Sequence, residues 1–250
     1  MGKFWCLTFL LLFSISCTTF RQQDEEIARL HLQIGTSHLN SGNYPQALSE
    51  LLTAESLDSK NPITHNNLGL TYFFRERNDL AEIHLRKAIS LKPDYSDARN
   101  NLARILIERG RYNEAMREAQ IVVEDLTYPY PEKPLLNVGI SQFKLNQFEQ
   151  SRRTFEKAIE FQRDSCLGHT YFGRSLFELR NYRRAAEALD KASSFCQKSE
   201  FDEPYYYSAL SYYQLGQKQK AEARLEGLLK LFPQGEYAEK AINMLETIRR

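Results

Sequence analysis

The chain is poor in the residues that break or brace regular structure. Its 250 residues include only 11 Gly, 8 Pro, four Cys and one Trp. So few Gly and Pro exclude a collagen-like or linker-type chain, and four Cys are too few for disulfides to replace a core. Neither sign of charge dominates, with 33 Lys+Arg against 32 Asp+Glu, which removes the electrostatic footprint of a general nucleic-acid binder. No apolar run reaches the roughly 20 residues that a spanning helix needs. HExxH, G-x-S-x-G and a Gly-rich phosphate loop are all missing. The carboxylates lie mostly beside Lys or Arg on prospective helix faces, as on a solvated surface. No enzyme activity, cofactor, metal or nucleic-acid partner is therefore expected. What is plentiful is apolar and aromatic content, 42% hydrophobic with 15 Phe and 14 Tyr, enough for a real core and against disorder.

Residues 1–17 read MGKFWCLTFLLLFSISC. Lys3 is a short positive start, and Phe4 to Ile15 is an almost unbroken apolar run of signal-peptide length. Small Ser16 stands before Cys17. This resembles a bacterial lipoprotein signal: 1–16 would be removed and Cys17 would become the acylated, palmitate-bearing N-terminus. Thr18, rather than Asp, follows the cysteine, and the resemblance then implies sorting to the periplasmic face of the outer membrane. Ser14 and Ser16 also satisfy the small-x-small rule of ordinary secretion, and retention as an anchor is the third alternative. Residues 18–26, TTFRQQDEE, show no apolar period, so 17–27 reads as the lipidated cysteine and a short tether.

A repeat organises the rest. Six segments begin at Ala28, Pro62, Ser96, Glu132, Cys166 and Asp202, spaced by 34, 34, 36, 34 and 36 residues. Their eighth positions hold Gly35, Gly69, Ala103, Gly139, Gly173 and Ala209. Their twentieth positions hold Ala47, Ala81, Ala115, Ser151, Ala185 and Ala221. At the twenty-fourth stand Leu51, Leu85, Ala119, Phe155, Leu189 and Leu225. The pattern resembles the tetratricopeptide repeat. It implies an all-α fold, a right-handed superhelical solenoid of six helix pairs over 28–234, in which small residues admit close backbones and the larger residue fills the space beside them. Gly42, Gly110 and Gly216 fall between the two helices of their units, where Gly suits a helix C-terminus. Ala238, Ala241, Ile242, Leu245 and Ile248 follow at helical spacing, so 235–250 reads as a capping helix.

On this reading Cys166 opens the first helix of the fifth unit and Cys196 follows the second. Antiparallel helices put those ends side by side, and the lipoprotein resemblance implies an oxidising compartment, so a Cys166–Cys196 disulfide is expected. Two buried free thiols are the alternative. His31, His65 and His169 share the fourth position of their units, which argues for packing over metal ligation.

Binding in such solenoids is expected on the face lined by the first helix of each pair. The residues assigned there are Asn67, Phe73, Phe74, Asn100, Asn101, Arg104, Asn137, Ile140, Phe143, Tyr171, Arg174, Phe177 and Tyr207. Asn67, Asn101 and Asn137 share one repeat position, and a ladder of amides can hold an extended peptide. The aromatics beside them suit apolar anchors. The alternative is that these Asn are merely tolerated and half the aromatics pack between helices. If they bind, Asn101→Ala or Phe143→Ala should weaken capture without unfolding the chain. The proline-rich stretch Leu126–Pro134 (LTYPYPEKP) interrupts the period, either as a plain joint or as a kink that displays Tyr128 and Tyr130.

The lipoprotein signal, six units, the stretch Tyr95–Leu102 with its Asn pair, Gly110-Arg111-Tyr112 and the Leu-Thr-Tyr-Pro-Tyr-Pro-Glu insert together are similar to the type IV pilus pilotins of the Tgl/PilF/PilW type. That resemblance implies an outer-membrane lipoprotein, monomeric on its own, that binds secretin subunits in its groove and promotes their assembly. An adaptor for peptidoglycan-modifying enzymes is the alternative, and a soluble periplasmic helper is a third.

Overall fold

The computed structural model describes residues 4–197 and 201–250, and for 4–21 the backbone alone. Among the described residues there are thirteen helices and no strand. They are α1 (Phe4–Asn40), α2 (Tyr44–Leu57), α3 (Pro62–Phe74), α4 (Asn78–Leu91), α5 (Ser96–Glu108), α6 (Tyr112–Val123) and α7 (Glu132–Lys144). The rest are α8 (Phe148–Phe161), α9 (Cys166–Glu178), α10 (Tyr182–Phe195), α11 (Glu203–Gln214), α12 (Lys218–Leu231) and α13 (Ala238–Arg249). The starts of α3, α5, α7 and α9 coincide with the repeat starts, and α11 begins one residue later. Among the described residues no helix is long and apolar enough to cross a membrane.

The chain divides into two compact units at Ile105/Leu106, within α5. In the first, α1 packs on α2, α2 on α3 and α3 on α4, with α1 also touching α3. In the second, α6 to α13 pack consecutively, and α9 touches both α7 and α11. Helix pairs thus stack in tetratricopeptide fashion within each unit, first helix against first helix.

Local chemistry explains the boundaries. Asn61 caps α3, its Oδ1 accepting from Ile63 N at 2.9 Å and Thr64 N at 3.3 Å, with Pro62 in the first turn. Ser165 caps α9 by accepting from Gly168 N at 3.2 Å. Every helix pair is joined by the same turn. Gly42, Glu76, Gly110, Asn146, Arg180 and Gly216 all have φ between 58° and 75°. The next residue's N–H donates back five residues in each, from Asn43 to His38 at 2.9 Å through Gln217 to Tyr212 at 3.0 Å. This is the Schellman closure, which satisfies carbonyls left open at a helix end.

The small residues sit where backbones meet large side chains. A Cβ on Gly35, Gly69 or Gly173 would lie 2.6–2.7 Å from the facing Leu Cγ (Leu51, Leu85, Leu189), and one on Gly139 would lie 2.8 Å from Phe155. Those four large residues are fully buried, as are Ala47, Ala81 and Ala185. Cys166, at the start of α9, and Cys196, the cap residue of α10, form the expected disulfide, with Cα atoms 5.1 Å apart.

One expectation is corrected and two gain detail. Residues 22–27, read as tether, belong to α1; no Gly or Pro stands between Lys3 and Gly35, and Gln, Glu and Arg propagate helix. Within the cap, α13 buries Ala238, Ala241, Leu245 and Ile248, but Ile242 points outward at 48% exposure. In the proline-rich stretch Tyr128 is buried while Tyr130 is exposed. The rings meet edge to face at 6.0 Å, and Lys133 Nζ lies 3.8 Å from the Tyr130 ring centre. The side chain of Cys17 lies outside the described residues.

Candidate functional site

The assigned residues form two separate clusters, one in each unit. In the first, Asn101 Nδ2 on α5 donates to Asn66 Oδ1 on α3 at 2.9 Å. Asn66 Nδ2 donates to Asn67 Oδ1 at 3.1 Å, and Asn67 Nδ2 donates to Thr36 Oγ1 on α1 at 2.8 Å. Thr36 Oγ1 in turn donates to Leu32 O at 2.6 Å. The amides expected to reach for a ligand therefore hold one another in a relay across three first helices. Asn66, Asn67 and Asn100 are buried, so each amide needs such a partner.

Beside the relay lies an aromatic step. Phe74 is 41% exposed, stacked on Tyr44 at 5.0 Å and edge-on to Phe73 at 5.5 Å. The exposed Arg104 places its guanidinium 4.4 Å from the Phe73 ring centre and 5.8 Å from that of Phe74.

The second unit repeats the device in buried form. Arg174 on α9 lies 4.5 Å from the Phe143 ring centre on α7 and 4.3 Å from that of Tyr207 on α11. Its Nη1 donates to Glu203 Oε1, and its Nη2 donates to Tyr207 OH at 3.2 Å. Tyr237 OH donates to the same Glu203 oxygen at 3.1 Å. Phe143 and Tyr171 meet edge-on at 5.3 Å, and Phe177 and Tyr207 at 5.6 Å. Burial, then the Glu203 charge, pushes the Tyr171 phenol up to about 12. Burial raises Tyr207 as well. Burial together with Glu203 holds Tyr237 far above the ordinary phenol range. All three phenols therefore stay neutral, and those of Tyr207 and Tyr237 are hydrogen-bonded.

Arg104 and Arg174 share the ninth position of units three and five, and Phe73 and Phe143 share the twelfth of the units before them. A cation at one position over a ring at the other is thus a recurring pairing, legible from the repeat register. Ile140 and Phe177 are half-buried and Asn137 is buried. Phe143 is only 6% exposed, so its substitution would disturb the core, contrary to the expectation that it could be changed without structural cost. Sequence reasoning missed Thr36, Glu203 and Tyr237 as partners. Glu203 stands at the second position of its unit, but the cation opposite it was not evident from the sequence.

The shared histidine position packs as expected in part. His65 Nε2 donates to Ser59 O at 2.9 Å and His169 Nε2 to Arg163 O at 3.0 Å, each bonding the carbonyl six residues earlier. His31 instead pairs its Nδ1 with Glu50 Oε2 at 2.6 Å.

Stacked helix pairs that present polar amides and aromatic rings on their first helices define a protein-binding class, and the family models agree. Tetratricopeptide-repeat models match residues 35–73, 75–126, 133–165 and 205–235, together more than half of the chain. The chain belongs to the tetratricopeptide-repeat proteins, which mediate protein–protein interaction. Within that class it is homologous to the type IV pilus assembly protein PilF of Pseudomonas aeruginosa, with 25% identity over 193 residues, 74% of this chain and 77% of PilF. The solved structure of P. aeruginosa PilF superposes with a TM-score of 0.75 at 22% identity, covering 88% of this chain and 99% of PilF. PilW, described as a widely conserved type IV pilus biogenesis factor, superposes at 0.77 with 23% identity over 90% of this chain and 99% of PilW. YrrB, a tetratricopeptide-repeat protein described as having an unusual peptide-binding site, gives 0.59 at 16% identity over 77% of this chain and 97% of its own.

Proposed function

We propose that this chain is a non-enzymatic type IV pilus biogenesis factor. Acylated at Cys17, it hangs from the periplasmic face of the outer membrane, binds secretin subunits on its first-helix faces and promotes their assembly. The observation that carries this reading is the similarity to PilF over three quarters of both chains, including residues of both units. The exposed Phe74 and Arg104 support it, since an aromatic with a cation stacked beside it suits an apolar anchor of a peptide segment. Tethering to the membrane raises the local concentration of partners to about the mM range, so modest affinity per contact suffices.

Deleting the gene tests the reading. Heat-resistant secretin multimers and surface pili should be lost, and restored by the wild-type chain but not by Cys17→Ala, which should also lose palmitate labelling. Multimers that persist in the deletion strain would reject the role.

A further inference from the structure

His65, His84 and Glu55 converge from three consecutive helices of the first unit, α3, α4 and α2. The His65 side chain is 4% exposed, that of His84 13% and that of Glu55 28%. The two Nδ1 atoms lie 3.2 Å apart. Glu55 Oε1 is 3.5 Å from His65 Nδ1 and 3.7 Å from His84 Nδ1.

The protonation of this cluster follows from its partners. A carbonyl oxygen only accepts, so the 2.9 Å contact of His65 Nε2 with Ser59 O places the His65 proton on Nε2. The lone pair of Nδ1 is then left on the side of His84 and Glu55. This is the arrangement by which a carbonyl orients a metal-binding imidazole. The His84 ring is held by stacking on Tyr72 at 5.3 Å. In a tetrahedral zinc site with bonds of about 2.0–2.1 Å, neighbouring ligand atoms lie about 3.3–3.4 Å apart. The three separations here straddle that edge length, while two like nitrogens at 3.2 Å are otherwise reconciled only by one shared hydrogen.

We propose that Glu55, His65 and His84 form a binding site for a divalent transition metal, with Zn²⁺ the ion their donors fit. The ligands are the two Nδ1 atoms and one Glu55 oxygen. Imidazole nitrogen with a single carboxylate suits zinc or cobalt rather than calcium or magnesium, which take mainly oxygen. The partial exposure of Glu55 and His84 leaves a path for entry and room for a fourth ligand from solvent. On binding, the metal replaces the hydrogen shared by the two Nδ1 atoms, and that proton moves to His84 Nε2. Three helices of the unit become cross-linked. The corresponding positions one repeat earlier carry His31 and Glu50, which supply two donors instead of three and serve as an internal control.

The test uses the full chain, detergent-solubilised and stripped with a chelator, titrated with Co²⁺ and Zn²⁺. One Co²⁺ per chain should bind with the intense visible bands of a near-tetrahedral site, be displaced by Zn²⁺, and raise the melting temperature as a native-state ligand does. His84→Gln and Glu55→Gln should each weaken binding about tenfold or more and abolish the bands, whereas His31→Gln should change neither. No saturable Co²⁺ uptake by the wild type, or unchanged uptake and bands in His84→Gln, would overturn the site. If circular dichroism shows His84→Gln unfolded, Glu55→Gln, on the more exposed side, decides by the same criteria.

Discussion

Arg174 and Glu203 form a largely buried ion pair, from the middle of α9 to the first turn of α11, inside a ring of Phe143, Tyr171, Tyr207 and Tyr237. The pair ties the fifth repeat to the sixth where two first helices face each other. Removing one partner leaves a buried charge alone, which costs about 3–5 kcal/mol. Arg174→Ala should therefore lower the unfolding free energy by about 3 kcal/mol, read by urea denaturation. Arg174→Met with Glu203→Gln should restore part of the loss, because no unpaired charge remains. Equal losses in the single and double variants would show the pair to be unimportant.

The disulfide closes a loop with a sequence separation of 30 residues. In the chain-entropy account such a loop contributes about 3–4 kcal/mol. Cys166→Ser with Cys196→Ser should lower stability by that amount, and added reductant should then have no further effect. Peptide mapping of the unreduced protein should recover residues 166 and 196 in one linked fragment.

The left-handed turn residues divide into Gly and non-Gly. A side chain in this region costs about 1–2 kcal/mol, less for Asn, and Gly gives part of the gain back in chain entropy. Glu76→Gly and Arg180→Gly should each stabilise by about 0.5–1 kcal/mol, while Asn146→Gly should gain less. In the opposite sense Gly173→Ala, whose Cβ would meet Leu189 Cγ at 2.6 Å, should destabilise by about 1–3 kcal/mol. Thermal melts of the four variants check all these signs.

Asp190 on α10 accepts from Arg224 Nε and Nη2 at 2.7 Å each, from Tyr212 OH at 2.8 Å and from Ser208 Oγ at 2.5 Å. Burial alone would raise its pKa, but these donors outweigh burial and hold it below the ordinary 3.8. The folded state thus favours the ionised form. That contribution is present in full well above pH 3.8 and is lost as pH falls through the depressed folded value. Asp190→Asn should lower stability at neutral pH and flatten the acid limb of the stability curve, measured as denaturation midpoints from neutral pH downward.

For partner binding, Phe74 and Arg104 are better probes than Asn101 or Phe143. On the proposed function, Phe74→Ala should weaken secretin capture by about thirtyfold, the ~2 kcal/mol of a hot spot, with little change in melting temperature. Phe143→Ala should instead cost about 3–5 kcal/mol of stability. Asn101→Ala should break the amide relay at Asn66, lowering stability by about 1–3 kcal/mol.

Much of the architecture was legible because a repeat is nearly one-dimensional. Each helix pair meets only its neighbours, so the starts at Pro62, Ser96, Glu132 and Cys166, the turns at Gly42, Gly110 and Gly216 and the approach of Cys166 to Cys196 followed from register. The candidate site was legible only as a set of positions. Whether Asn101 faces a ligand or Asn66 depends on a rotamer and a spacing of one or two ångströms between helices. Tyr128 and Tyr130 are two residues apart, and the turn between them buries one and exposes the other.

By itself the sequence determined the helical period, the small-to-large pairing such as Gly69 with Leu85, and the nearness of Cys166 to Cys196 in the fifth repeat, because each depends on spacing along the chain. Only the tertiary structure decided that the amides satisfy one another, that Glu203 neutralises Arg174, and that Glu55 and His84 come to His65. Those meetings depend on how far neighbouring helices slide and turn as their side chains interlock, a distance that no spacing along the chain encodes.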